Sequence, residues 1–216
     1  MIQIKSFEFN PFSENTYILY DETKEAIIVD PGCYDQSEKD NLTQFIEDND
    51  LKVVKLINTH CHVDHVFGNK FVKAHFGVEL FIHKKDEPTL EAVKVYAPVY
   101  GIDKYEPATA DKYLDENDHV EFGDSSLDIL FVPGHAPGHI VLVHKEQKFC
   151  IGGDVLFHGS IGRTDLPGGD FDTLIENIHS KMFKLDDETK VYPGHGPTTT
   201  IGFEKANNPF CAVESK

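Results

Sequence analysis

The chain has no excess of positive charge, no paired cysteines and no long apolar run, and each absence removes a class of protein. Lysine and arginine number 20 against 37 acidic residues, a formal charge of −17. Such a field repels polyanions, and no basic run offsets it, which excludes a nucleic-acid partner and counts against a nuclease. The four cysteines, Cys33, Cys61, Cys150 and Cys211, show no paired spacing. A chain of 216 residues does not need covalent staples, so free thiols in a reducing compartment are expected. No segment approaches the ~18 uninterrupted apolar residues of a membrane span. The opening Met1-Ile2-Gln3-Ile4-Lys5-Ser6-Phe7 lacks a cationic start followed by an apolar run, so it does not read as a secretory signal. The expectation is a cytoplasmic enzyme with a small-molecule substrate and no membrane partner; nothing in the sequence sets an oligomeric state.

What is present suits a folded core: 40% hydrophobic, 26% charged and 11% aromatic residues. We expect one domain over residues 1–216, two domains of about 100 residues each being the other possibility. Apolar runs rich in β-branched residues predict strands at Ile2–Phe9, Thr16–Tyr20, Ala26–Val29, Val53–Ile57, Val78–Ile82, Ser126–Val132, Ile140–His144 and Lys148–Ile151. Helical spacing predicts helices at Gln36–Asp48, Val66–Phe76, Glu87–Val95 and Phe171–Phe183, the last with Asp170 as N-cap. The alternation argues for an α/β protein with helix-covered sheets. Tyr96–Ala110, with two prolines, a glycine and three tyrosines, predicts a long loop, either a lid or a connection anchored by its aromatics.

The stretch His60-Cys61-His62-Val63-Asp64-His65 puts four metal-ligand side chains into six positions. If strand Val53–Ile57 stays extended past Thr59, His60 and His62 share a side and Cys61 points away. Asp64 and His65 then follow at the mouth of the next helix. One such histidine alone would be an ordinary residue. Four together compete for protons and solvation at a cost in stability unless a metal uses them. Distant ligands occur in one repeated context, a strand followed by small residues: His135 after Pro133-Gly134, Asp154 after Gly152-Gly153, and His195 after Pro193-Gly194. Glycine before each lets the backbone approach the site. Five histidines and two aspartates are too many for one tetrahedral zinc and suit two metals with a bridging carboxylate.

These motifs, in this order and together with Val29-Asp30-Pro31-Gly32, resemble the metallo-β-lactamase superfamily over nearly the whole chain. The resemblance implies an αββα sandwich of two mixed β-sheets flanked by helices, with the site at one edge. It implies that His60, His62 and His135 hold a first metal, that Asp64, His65 and His195 hold a second, and that Asp154 bridges. Gly162-Arg163-Thr164-Asp165-Leu166-Pro167-Gly168-Gly169-Asp170, with Thr199-Thr200-Ile201-Gly202 through Asn208-Pro209-Phe210, resembles small bacterial glyoxalase II-like hydrolases. The standard glyoxalase II carries a further C-terminal helical region with basic residues for glutathione, whereas 21 residues follow His195 here.

The implied activity is hydrolysis of a thioester of the hydroxyacyl-glutathione type by a metal-bridging hydroxide, with Asp64 as the catalytic side chain that orients it. The implied cofactors are two divalent ions, zinc first, with iron or manganese as substitutes. A persulfide dioxygenase with one iron on His60, His135 and Asp154 is the alternative, and lactone or other ester hydrolysis fits the same fold. Asp30 is expected either to orient a ligand histidine or simply to make the turn before Pro31-Gly32. His139 is expected to be a hydrogen-bonded structural histidine. Arg163 is a candidate clamp for a substrate carboxylate, with loop-tethering through Asp165 or Asp170 as its other role.

Overall fold

The apolar runs form strands, and the computed structural model, which describes residues 1–213, gathers them into two six-stranded mixed sheets and a two-stranded ribbon. The chain divides into two units, Met1–Leu114 with Glu121–Ser126, and Asp115–Val120 with the chain from Leu127 onward.

In the first unit β1 (Gln3–Phe9), β2 (Glu14–Tyr20) and β3 (Glu25–Val29) run antiparallel, and β4 (Lys52–Ile57), β5 (Leu80–His83) and β6 (Lys112–Leu114) continue the sheet in parallel. Parallel neighbours need crossovers, supplied by α1 (Gln36–Asp48), α2 (Asn69–Phe76) and α3 (Glu87–Tyr96). Ala26, Ile27, Ile28 and Val29 of β3 are wholly buried, the continuous apolar run of a strand covered on both faces. Helix α1 starts at Gln36 because Asp35 accepts the Glu38 N–H at 2.9 Å while the Glu38 carboxylate accepts the Asp35 N–H at 3.3 Å, a reciprocal capping box. The β3–β4 register pairs Val29 with Ile57, so Asp30 and Asn58 leave the sheet together at the carboxyl ends of parallel strands, where α/β sheets carry their sites.

In the second unit the sheet order is β14-β13-β10-β9-β8-β7, from β7 (His119–Phe122), β8 (Ser125–Phe131), β9 (Ile140–His144), β10 (Phe149–Gly153), β13 (Lys190–Pro193) and β14 (Thr199–Thr200). β11 (Leu156–Phe157) and β12 (Ser160–Ile161) form the separate ribbon. Helix α4 (Phe171–Ser180) buries Leu174 and Ile178 in a core with Val132, Val141, Cys150 and Val191, and α5 (Ile201–Asn207) adds Ile201. The Asp170 side chain accepts the Thr173 N–H at 2.7 Å, the expected N-cap. β10 and β13 are parallel, and the Gly194 N–H donates to the Gly153 carbonyl at 2.8 Å, which brings the two strand ends side by side.

Three sequence expectations need correcting. Helix α2 starts at Asn69, not Val66, because Val63–His65 is a 3-10 turn and the Gly68 N–H is held by the Pro31 carbonyl at 2.7 Å. Helix α4 stops at Ser180 because Lys181, at φ −121° and ψ −61°, leaves helical geometry; a 3-10 turn follows at Met182–Lys184. Within Tyr96–Ala110 lies a 3-10 turn, Ala97–Tyr100, closed by Gly101 at φ 76°. Tyr105 there packs on Phe67 with ring centroids 6.4 Å apart, and Tyr34 meets Phe67 at 5.1 Å. The loop is therefore anchored by its aromatics. Short elements that carry little periodicity, β6, β7, β11, β12, β14 and α5, had no sequence signal.

Replacing Asp35 by alanine leaves the Glu38 N–H without its cap and is expected to lower unfolding stability by ~1 kcal/mol, read from urea midpoints at unchanged slope.

Candidate metal centre

His60 and His62 follow β4 as an extended pair, their rings 4.8 Å apart and nearly perpendicular, and His65 packs 4.1 Å from His60. All three are buried, His65 completely, and Asp64 is only 9% exposed. The loop is fastened at each point. The side chain of Asn58 donates to the His65 carbonyl at 3.1 Å, and the Asn69 amide donates to Asn58 at 2.8 Å. Between the two histidines, the Cys61 N–H donates to a carboxylate oxygen of the fully buried Asp86 at 2.5 Å. That bond helps hold the extended shape on which the His60–His62 alternation depends. Burial pushes the Cys61 thiol far above its ordinary range, so it is held as a neutral thiol.

Asp64 sits in the Val63–His65 turn, its carbonyl accepting from the Asn10 amide at 3.1 Å and its carboxylate 3.7 Å from His65 Nε2. On the other side of that ring, Asp30 Oδ2 lies 3.2 Å and Glu14 Oε1 3.8 Å from Nδ1. Both oxygens of Asp30 also accept from Thr59, one from its N–H at 2.7 Å and one from its hydroxyl at 2.5 Å. Asp30 therefore anchors its turn on Thr59 and faces one side of the His65 imidazole, whose Nε2 faces Asp64. Donor atoms of Asp30, His60 and His65 lie within 4.8 Å of one another. With Asp30 already committed to Thr59, we read it as orienting the ring. Desolvation raises the carboxyl of the fully buried Glu14 well above the usual range, which favours its protonated form.

In the second unit one carboxylate oxygen, Asp154 Oδ2, lies 3.5 Å from His135 Nε2 and 3.5 Å from His195 Nε2. His135 is turned that way by a 2.7 Å hydrogen bond between its Nδ1 and the Arg163 carbonyl; a carbonyl only accepts, so Nδ1 carries the proton. The Asp154 N–H donates to His139 Nε2 at 2.9 Å, which makes His139 a neutral acceptor that positions Asp154. Gly134, at φ 133°, adopts a conformation closed to other residues, and a Cβ there would lie 2.4 Å from the Leu174 backbone. A Cβ on Gly162 would fall 1.9 Å from the Asp154 carbonyl oxygen and 2.9 Å from His135 Nδ1.

His60, His62, Asp64 and His65 thus form one cluster and His135, Asp154 and His195 another. Imidazole nitrogens and carboxylate oxygens, mostly buried and without a thiolate, are the donor set of divalent first-row ions and fit such a cofactor. Arg163 contributes its backbone; its guanidinium forms a two-pronged pair with Asp165, both contacts 2.7 Å, and draws that exposed carboxyl down to about 2. Asp86, Glu14 and the Arg163 carbonyl were invisible in the sequence, since their roles come from contacts with distant segments. Gly162 stood in the quoted Gly-Arg-Thr-Asp stretch and was the available signal. His83 and His144 make ordinary local hydrogen bonds, His179 bonds the distant Cys211 carbonyl at 2.7 Å, and His119 pairs with Asp128 at 3.1 Å. Among the described residues no helix is long and apolar enough to cross a membrane.

The fold and these donors define a class, and a family model for the metallo-β-lactamase superfamily matches residues 9–195. The chain belongs to that superfamily, has its fold of two mixed sheets flanked by helices, and is by class a metal-binding hydrolase. A Haemophilus influenzae protein named hydroxyacylglutathione hydrolase GloC is 38% identical over 99% of this chain and all of its own length. The crystal structure of BLEG-1, titled a B3 metallo-β-lactamase, superposes with a TM-score of 0.86 at 34% identity, covering 98% of this chain and 100% of that one. TTHA1623, solved in a di-iron-bound form, gives a TM-score of 0.84 at 31% identity over 95% of this chain and 99% of its own.

Gly162→Ala forces the Asp154 carbonyl and the His135 ring apart. Metal affinity, measured by competition with a chromophoric chelator, is expected to weaken by roughly 10-fold or more, the scale set by groups that orient metal ligands.

Proposed function

We propose that this protein is a binuclear hydrolase of thioesters of the hydroxyacyl-glutathione type, working as a single functional domain. The observation that carries the binuclear reading is the single oxygen of Asp154 shared by His135 and His195, the disposition a bridging carboxylate needs. His60, His62 and His135 would hold one ion, Asp64, His65 and His195 the other, with zinc first and iron or manganese as substitutes. When bound, such ions lower the pKa of water toward ~7 and polarise a carbonyl. The di-iron form of TTHA1623 supports the two-metal count.

The side chains do the rest. Asp64, held through its carbonyl by Asn10, presents its carboxylate to accept a hydrogen bond from the attacking water and aim it. Asp30 and the Arg163 carbonyl fix the rings of His65 and His135, so no reorientation is needed as the substrate arrives. We identify no general acid among these residues, and a thiolate leaves with little need of a proton, which favours a thioester over an ester with an alkoxide leaving group. The glyoxalase II-like motifs and the similarity to GloC point the same way. Since relatives of comparable identity carry names as different as GloC and a B3 metallo-β-lactamase, overall identity does not select the substrate. The four buried thiols fit a reducing cytoplasm.

Elemental analysis of protein purified without chelator is expected to give two first-row metal ions per chain. One equivalent, unchanged on adding metal, rejects the binuclear site.

Across a thioester, a lactone, a β-lactam and a phosphodiester, the thioester is expected to give the highest kcat/KM; faster turnover of another class overturns the substrate assignment. Asp64→Ala separates this reading from the single-iron dioxygenase. It is expected to remove one metal per chain and lower thioester hydrolysis by at least ~10²-fold. Unchanged metal content with sustained oxygen uptake on a persulfide would instead establish the dioxygenase.

A further inference from the structure

The C-terminal motif Thr199 to Asn208 contains a carboxylate for which the reaction has no use. Glu204, on α5, is completely buried, and only donors reach it. The Gly159 N–H donates to its two oxygens at 3.2 and 3.1 Å, the Asn208 amide at 2.7 Å, and the Thr199 hydroxyl as well. The second proton of the Asn208 amide goes to the Ser160 carbonyl at 2.9 Å. His158 Nδ1 lies 3.8 Å from Oε1, and its ring stacks on Phe203 at 4.7 Å. The contacts at His158, Gly159 and Ser160 fall on the tip of the β11–β12 ribbon, where Gly159 turns at φ 68°.

That ribbon leads directly into the ligand set. From Ile161 the chain passes through Gly162, whose N–H bonds the Val155 carbonyl at 3.3 Å and which is wedged between Asp154 and His135. The next carbonyl, that of Arg163, holds His135 Nδ1. A short two-stranded ribbon is weakly stable by itself and needs an external hold to keep a fixed position. We propose that Glu204, with Asn208, is a positioning residue: it clamps the tip of the β11–β12 ribbon and so holds the Arg163 carbonyl against His135, keeping His135 Nε2 directed at Asp154. The inference rests on His135 being a metal ligand, and on no particular substrate.

An acceptor-only side chain is required, because the backbone N–H and the amide both donate and cannot turn round without losing Ser160. Glu204→Gln places an NH2 among those donors. The readout is solvent exchange of the His135 Nδ1–H in metal-loaded, 15N-histidine-labelled full-length protein, with metal loss to a chelator followed in parallel. Exchange is expected to be about 10-fold faster or more in Glu204→Gln, with metal released correspondingly sooner. Thr199→Val, which removes a donor without touching the ribbon, is expected to leave both close to wild type, whatever its effect on Tm. If Glu204→Gln does not fold, Asn208→Ala, which retains the carboxylate but releases Ser160, is judged by the same exchange rate. Wild-type exchange in the folded variant overturns the proposal, even if Tm falls, because a merely structural carboxylate would give that result. Two metals bound without thioester hydrolysis would defeat the proposed reaction and leave this inference standing.

Discussion

Seven imidazole and carboxylate groups, six of them buried, have to be held away from water in fixed orientations, and the rest of the structure answers to that constraint. A buried polar group without a partner costs stability, and a buried charge costs more. The chain meets this with a further layer of hydrogen bonds. Asp30 grips Thr59 and faces His65, Asp86 takes the N–H of Cys61, the Arg163 carbonyl takes the proton of His135, and His139 takes the N–H of Asp154. Each of these partners lies on a different segment from the group it orients, so the site's geometry is a property of the fold and not of any one loop.

Close backbone approach is the second demand. The donors emerge at strand ends, where the parallel registers of β3 with β4 and of β10 with β13 bring consecutive ends together. At Gly134 and Gly162 there is no room for a side chain, because the α4 backbone occupies one position and the Asp154 carbonyl the other. At Gly162 the missing side chain lets the Asp154 carbonyl and the His135 ring come close to the same backbone.

Chemistry and specificity sit at different depths in this arrangement. The donor set, its orienting partners and the strand registers describe how a group of imidazole and carboxylate donors is held. None of them bears on the shape of an acyl or thiol group, which is why relatives with this fold carry names for different reactions at similar identity.

The class of fold, the clustering of ligand-type residues at His60–His65 and the cap of α4 could be read from the sequence because each is local: β-branched runs, four ligand-type residues in six positions, an aspartate before an apolar helical face. Helix α1 likewise matched its expected span, since its capping box lies within four consecutive residues. The late start of α2 could not be read, because a distant carbonyl at Pro31 holds the Gly68 N–H. Arg163 shows the division most clearly. The sequence offered its side chain as a substrate clamp or as a tether to Asp165 or Asp170; in the fold it pairs with Asp165, and its carbonyl, which carried no signal, orients His135. Nothing in the sequence singled out Glu14, Asp86 or Glu204, and all three are completely buried in the structure. The sequence by itself determined which atoms are able to bind metal. Only the tertiary structure decided which way they point, because orientation depends on hydrogen bonds between residues tens of positions apart, and these exist only once the sheets have set their registers.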